Sequence, residues 1–101
     1  MNLSIKKPNE TVISIARKIG YRPLGVTPEN EYNLVRPLAG RHYPRFHIYV
    51  KKRELEGVFQ INLHLDQKHP SYERQTAHSG EYDGEIVEKE AERIRKIIEQ
   101  M

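Results

Sequence analysis

The chain has no cysteine among its 101 residues. This absence excludes disulfide bonds, thiolate nucleophiles and cysteine-ligated zinc, and it is typical of proteins that fold in a reducing compartment. Any metal ion would therefore have to be bound by histidine and carboxylate side chains.

The chain also lacks long apolar runs. No segment approaches the roughly 20 apolar residues that a membrane-spanning helix needs, and residues 1–7 lack the apolar stretch of a signal peptide. A chain of 101 residues is long enough to bury one core and too short for two. We therefore expect a single domain over residues 1–101, a cytoplasmic location and no contact with a membrane.

The net charge of +3 is unevenly distributed. Residues 1–57 contain eleven Lys and Arg against five Asp and Glu, a net +6, whereas residues 58–101 contain six against nine, a net −3. Basic side chains that contact phosphates release counterions, so the basic half favours RNA or another polyanion as a partner. Charge of this size is also typical of a surface that keeps a protein in solution.

Two neighbouring segments, residues 45–51 and 60–66, alternate apolar and polar side chains. Successive side chains of a β-strand point to opposite faces of the sheet, so the alternation predicts one apolar and one polar face. The apolar face would consist of Phe46, Ile48, Val50, Phe59, Ile61, Leu63 and Leu65. The polar face would consist of Arg45, His47, Tyr49, Lys51, Gln60, Asn62, His64 and Asp66. The short connection over 52–57 has hairpin length, so we expect the two strands to be antiparallel neighbours.

Two registers of this strand pair fit the pattern. In one register His47 lies opposite Asn62. In the other, which is shifted by two residues, His47 lies opposite His64. The same shift places Arg45 opposite Asp66. In both registers the two imidazoles are close enough for direct or water-bridged contact.

The rest of the chain adds two helices and one or two strands. Asn9 and Gly20 are typical of the start and the end of a helix, which we place over residues 10–19. A strand is expected over 32–36, and residues 21–26 are a candidate for a short fourth strand. A final helix is predicted from apolar residues that recur every three or four positions: Ile86, Val87, Ala91, Ile94, Ile97, Ile98 and Met101.

Together these elements predict an α+β fold, a two-layer sandwich with the order α-β-β-β-α. Its antiparallel sheet would carry both helices on the apolar face. Residues 67–84 are polar and have no hydrophobic period, so we expect them to form a long loop within the domain.

The predicted order is that of the double-stranded-RNA-binding domain and of the small HicA-type toxins. Four segments resemble the HicA-type family over roughly residues 12–66: its helix end, first strand, glycine–histidine motif and second strand. They are Ile19-Gly20-Tyr21, Tyr32-Asn33-Leu34-Val35-Arg36, Gly40-Arg41-His42 and Phe46-His47-Ile48-Tyr49. The resemblance implies an mRNA-cleaving ribonuclease that uses a strand-borne histidine, with His42 or His47 at the matching position.

The polar face carries the residue types that a metal-free ribonuclease needs. Such an enzyme uses a base near the 2′-hydroxyl, an acid near the leaving oxygen and cations for the phosphate. His47 and His64 are the candidate catalytic residues for the first two roles. The candidate nucleic-acid-binding residues are Arg41, Arg45 and Lys51 for phosphate, Tyr49 for base stacking, and Asn62. The simpler interpretation is that the histidines and the tyrosine are partly exposed sheet residues with ordinary cross-strand contacts.

A metal site is an alternative use of the same region. His64 and Asp66 share a strand face, and His69 or His78 could be delivered by the following loop, so these side chains could bind zinc or another divalent ion. The chain has no recognised metal-binding motif, so no metal ion and no other cofactor is expected.

The sequence therefore favours a small RNA-binding domain with histidine-dependent ribonuclease activity. The alternative is a non-catalytic protein-interaction or regulatory domain in which the histidines are incidental. A protein partner, or a second copy of the chain, could then bind a seam of near-heptad spacing on the last helix, which consists of Val87, Ala91, Ile94, Ile98 and Met101. The same stripe is also what a helix needs in order to pack on a sheet.

Overall fold

Both alternating segments are strands, and they pair along their length within an antiparallel sheet. The computed structural model describes residues 1–67, 80–81 and 84–101. Its strands and helices, in chain order, are β1 (Asn2–Lys6), α1 (Val12–Ile19), β2 (Arg22–Val26), β3 (Tyr32–Pro37), β4 (Arg45–Arg53), β5 (Val58–Asp66), β6 (Gly80–Glu81) and α2 (Glu85–Glu99).

The strand order across the sheet is β1-β5-β4-β3-β2, and every neighbouring pair is antiparallel. The short strand β6 pairs with residues 65 and 66 of β5, on the same edge that β1 occupies further along that strand. β4 therefore lies at the centre of the sheet. Because β3 and β5 flank it, side chains on β4 can contact residues of both neighbours.

The fold class is α+β, as predicted, but the predicted order α-β-β-β-α is wrong. The chain begins with a strand, and the described elements follow the order β-α-β-β-β-β-α, with β6 added before the last helix. Only Leu3 and Ile5 mark β1 as amphipathic, and two apolar positions are too few to identify a strand. β1 forms because it pairs with the distant strand β5. The fourth strand, a candidate in the sequence, is present as β2.

The hairpin between β4 and β5 selects one of the two predicted registers. The chain turns over residues 54–57, and Gly57 takes a positive φ of 67°, which glycine adopts without strain. As a result His47 lies directly opposite His64. Arg45 likewise lies directly opposite Asp66.

Both helices pack on the apolar face of the sheet, as predicted, and share one buried core with it. α1 starts at Thr11 rather than at Asn9, because the Thr11 hydroxyl accepts a hydrogen bond from the backbone N–H of Ser14 at 3.1 Å. The helix ends at Gly20, whose left-handed φ of 83° stops it.

The apolar stripe of α2 lies in this core. Its buried members are Val87, Ala91, Ile94 and Ile98. A partner could bind this seam only by displacing the core contacts of these residues. The stripe therefore packs α2 on the sheet and is not an exposed docking surface.

A buried carboxylate joins α2 to the first helix and to the sheet. Glu90 accepts hydrogen bonds from Tyr21 Oη at 2.6 Å and from Arg93 at 2.8 and 2.9 Å. Arg36 on β3 donates to the same carboxylate at 3.3 Å. Arg93 also donates to the carbonyl of Ile19, at the end of α1, at 2.6 Å. Burial, followed by the negative charge of Glu90, raises the pKa of Tyr21 well above its ordinary value.

Two further expectations concern the loop and the membrane. The predicted loop over 67–84 lies mostly outside the described residues; within that range, residues 80–81 form β6. Among the residues that the structure describes, no helix is both long and apolar enough to cross a membrane.

Candidate functional site

Three rows of residues cross β3, β4 and β5 on the polar face of the sheet. The register of these strands defines the rows as Pro37, Arg45 and Asp66; Val35, His47 and His64; and Asn33, Tyr49 and Asn62. Residues in adjacent rows are diagonal neighbours, within reach of long side chains. His47 lies in the middle row of the central strand, so it can contact both other rows.

Asp66 joins both histidines through its two carboxylate oxygens. Oδ2 lies 3.0 Å from His47 Nδ1, and Oδ1 lies 3.0 Å from His64 Nε2. We call these three residues the His–Asp cluster. The hairpin register places the carboxylate in the row beside the two rings, so one acidic side chain orients both imidazoles.

Asn33 contacts the other ring nitrogen of His47. Its Oδ1 reaches His47 Nε2 from β3, so both nitrogens of this ring face oxygen atoms. The sequence does not mark Asn33 as a site residue, because its position beside His47 depends on the pairing of β3 with β4, which no local pattern indicates.

Arg45 completes the surroundings of the Asp66 carboxylate. Its Nε donates to Asp66 Oδ2 at 3.2 Å, and its guanidinium lies 4.5 Å from the centre of the Tyr43 ring. An arginine stacked over an aromatic ring is held by a cation–π contact as well as by its ion pair. Asp66 therefore has a fixed cation on one side and two imidazoles on the other.

The carboxyl group of Asp66 is ionised at neutral pH. Its burial acts to raise the pKa, but the hydrogen bonds and charges of His47 and His64 outweigh burial and hold the pKa of Asp66 well below its usual range. The centre of the cluster therefore carries a negative charge.

Three rings pack together beside this carboxylate. The His47 ring centre lies 4.7 Å from those of both Tyr49 and His64, and the latter two are 6.0 Å apart. Separations of this size are typical of favourable ring contacts. Both histidines are only 7% exposed, which is less than the simpler interpretation of partly exposed sheet residues expects, whereas Tyr49 is half-buried, as that interpretation expects. Val35, in the row of the two histidines, is fully buried.

The other predicted binding residues on the strands lie along the same face. Tyr49 and Asn62 share a row, and Asn62 Nδ2 donates to Asn2 Oδ1 on β1 at 2.7 Å. Lys51 lies towards the other end of β4, roughly 20 Å from Arg45 at about 3.3 Å per residue. Tyr49 therefore belongs to the surroundings of the cluster, and Lys51 does not.

Arg41 and His42 lie outside the cluster, in the loop between β3 and β4. Both are exposed, and with Arg22 and Pro37 they line a shallow cleft. His42 and His47 are the two candidates for the strand-borne histidine that the HicA-type resemblance implies, and only His47 belongs to the buried cluster.

The structure brings together two of the side chains considered as metal ligands. His64 and Asp66 are joined, but the third member of the group is His47; His69 and His78 lie outside the described residues. One ligand atom from each member of the His–Asp cluster lies within 4.8 Å of the other two. Such convergence of two nitrogens and a carboxylate allows both proton chemistry and metal binding.

Comparison of the chain with family models, with curated proteins and with solved structures gave no significant match. The resemblance to HicA-type toxins and to the double-stranded-RNA-binding domain therefore stays a prediction.

Proposed function

We propose that the polar face of the sheet binds RNA and that the His–Asp cluster cleaves the bound strand. The observation that carries this proposal is the attachment of two imidazoles to one charged carboxylate, with Arg45 beside it. Cleavage next to a 2′-hydroxyl needs groups that move protons and a cation that stabilises the phosphate. The cluster and Arg45 supply these group types within one patch.

Single-stranded RNA suits this face because its unpaired bases can stack on aromatic rings. The half-buried ring of Tyr49, beside the cluster, offers such a platform. Phosphates can contact the exposed Arg41 and Arg22 at the shallow cleft. All of these residues lie in the half of the chain that carries the net +6.

Asp66 is a positioning residue in this proposal. It orients both rings and pairs with Arg45, so that the imidazoles and the guanidinium share one patch of the sheet. The side chains of Asp66 and Arg45 are 20% and 15% exposed, whereas those of the two histidines are 9% exposed. The RNA backbone therefore approaches from the row that contains Arg45.

Binding is tested by titrating a labelled single-stranded RNA at about 50 and 200 mM salt. We expect weaker binding at the higher salt, and Arg41→Ala should reduce the slope of log K against log salt by about 1. Lys89→Ala is the matched control, since it removes one positive charge from the exposed side of α2. A wild-type protein that does not bind RNA, or binds without a salt dependence, would favour the non-catalytic interaction domain instead.

Cleavage is tested with His47→Ala and His64→Ala, after circular dichroism has confirmed that both variants fold. Each should abolish cleavage of the labelled RNA. Lys89→Ala is the control, because it removes an exposed side chain of α2 outside both the cluster and the shallow cleft. Undiminished cleavage in both cluster variants would refute the catalytic part of the proposal.

A further inference from the structure

The donor atoms of the His–Asp cluster already have nearly the spacing of ligands around a small metal ion. Bonds of about 2.0–2.1 Å in a tetrahedral zinc site place neighbouring donors roughly 3.3 Å apart. In the cluster each carboxylate oxygen lies 3.0 Å from one imidazole nitrogen. All three donors lie within 4.8 Å of one another, so small side-chain shifts would be enough to admit an ion.

Asn33 supplies the second contact that a metal-binding histidine usually has. Such histidines commonly donate the N–H of the second ring nitrogen to an oxygen acceptor, which fixes the tautomer and directs the lone pair at the ion. Asn33 Oδ1 is in place to accept the proton of His47 Nε2. In that tautomer the lone pair of Nδ1 faces Asp66 Oδ2 at a distance of 3.0 Å, so an ion between the two atoms would bind both.

The sheet also holds the ligands rigidly. His47 belongs to the central strand β4, and His64 and Asp66 belong to its hydrogen-bonded neighbour β5. Arg45 lies close to the site, but a carboxylate oxygen has two lone pairs, so Asp66 Oδ2 can accept from Arg45 and still bind an ion. The nearby guanidinium will lower the affinity, without blocking the site.

We propose that His47 Nδ1, His64 Nε2 and the Asp66 carboxylate form a site for a divalent transition-metal ion, with zinc as the best fit. Two imidazoles and one carboxylate suit zinc, whereas calcium and magnesium prefer oxygen ligands alone. Three protein ligands leave a fourth position for water, as in catalytic zinc sites. This proposal does not depend on RNA binding, because the ion is measured on the protein alone. A bound ion would occupy the ring nitrogens that the proposed cleavage uses for proton transfer, so one molecule cannot use the cluster in both ways at once.

The test is a calorimetric titration of untagged, chelator-treated protein with zinc chloride, without RNA. We expect one zinc ion per chain. His47→Ala and His64→Ala should weaken binding at least about 100-fold, and Asn33→Ala should weaken it about 10–100-fold, as loss of an outer contact to a ligand does. His42→Ala should bind zinc like the wild type.

A parallel titration with Co²⁺ keeps the test decisive if a ligand variant fails to fold. Wild-type protein should develop the visible absorption bands of a tetrahedral Co²⁺ site, and Asn33→Ala should develop them only at higher ion concentration. The absence of zinc binding by the wild type, or equal affinity in His42→Ala and His47→Ala, would overturn the metal site. Zinc binding without any RNA binding would instead overturn only the proposed function.

Discussion

Asp66 is the residue on which the candidate site depends. Its oxygens face His47 Nδ1 and His64 Nε2, and it also accepts a hydrogen bond from Arg45. These partners are largely buried, so removal of the carboxylate leaves polar groups that water reaches poorly. A change at Asp66 should therefore affect stability as well as chemistry.

We predict that Asp66→Ala lowers the free energy of unfolding by about 2–3 kcal/mol, since one hydrogen bond to a charged group contributes about 1.5–3 kcal/mol. The measurement is urea unfolding at neutral pH with a chelator present. Glu54→Ala is the control, because it breaks only an exposed ion pair with Lys7. A loss for Asp66→Ala no larger than that of the control would argue against a cluster held by this carboxylate.

Tyr21 gives a prediction about alkaline pH. Burial and Glu90 raise its pKa in the folded protein, while the unfolded value stays near about 10. The folded state therefore holds the phenolic proton more tightly. The stabilisation is complete below about pH 10 and is lost as the pH rises from there towards the folded pKa, by at most about 1.4 kcal/mol per pH unit.

The measurement is the urea-unfolding free energy of the wild type and Tyr21→Phe between about pH 9 and 11. The wild type should lose stability more steeply over this range than the variant, which has no phenol at this position. Parallel curves for the two proteins would show that Tyr21 has no raised pKa.

At the scale of elements, β1 is the strand that ties the start of the chain to the sheet. It pairs with β5, with Leu3 opposite Ile61 and Ile5 opposite Phe59. Ile5 is fully buried against the helix layer. β1 thus lies beside β5, the strand that carries His64 and Asp66, and it pairs with residues 58–62 of that strand.

We predict that Ile5→Ala lowers the free energy of unfolding by about 2–5 kcal/mol, the usual cost of truncating a buried isoleucine. Ile13→Ala is the matched control, because Ile13 on α1 is 38% exposed. Urea unfolding of the two variants makes the comparison. Equal, small losses would mean that β1 is not part of the folded core.

At the scale of the whole molecule, alternation along β4 and β5 was enough to predict the two faces of the sheet. It placed His47 and His64 on one face because side-chain direction depends only on the strand period. The joint contact of the histidines with Asp66 could not be predicted, because it depends on the strand register, which the hairpin geometry decides. The contact of Asn33 with His47 could not be predicted either, because it depends on the pairing of β3 with β4. The burial of both histidines depends on the packing of the whole chain.

The two faces of the sheet have different roles in this account. The apolar face and both helices form the core, whereas the polar face holds the His–Asp cluster and the basic residues near it. The exposed surface of α2 carries ion pairs between neighbouring turns, such as Lys89 with Glu85, and the proposed function assigns it no contact with RNA. If the proposed function is right, RNA therefore contacts one face of the molecule only.

Chemical-shift mapping of the backbone amides during a titration with single-stranded RNA tests this claim most directly. The account predicts shifts along the polar face, at Arg41, Arg45, Tyr49 and His64, while the amides of Lys89 and Glu92 on α2 stay unchanged. Shifts confined to α2, or no shifts at saturating RNA, would contradict it.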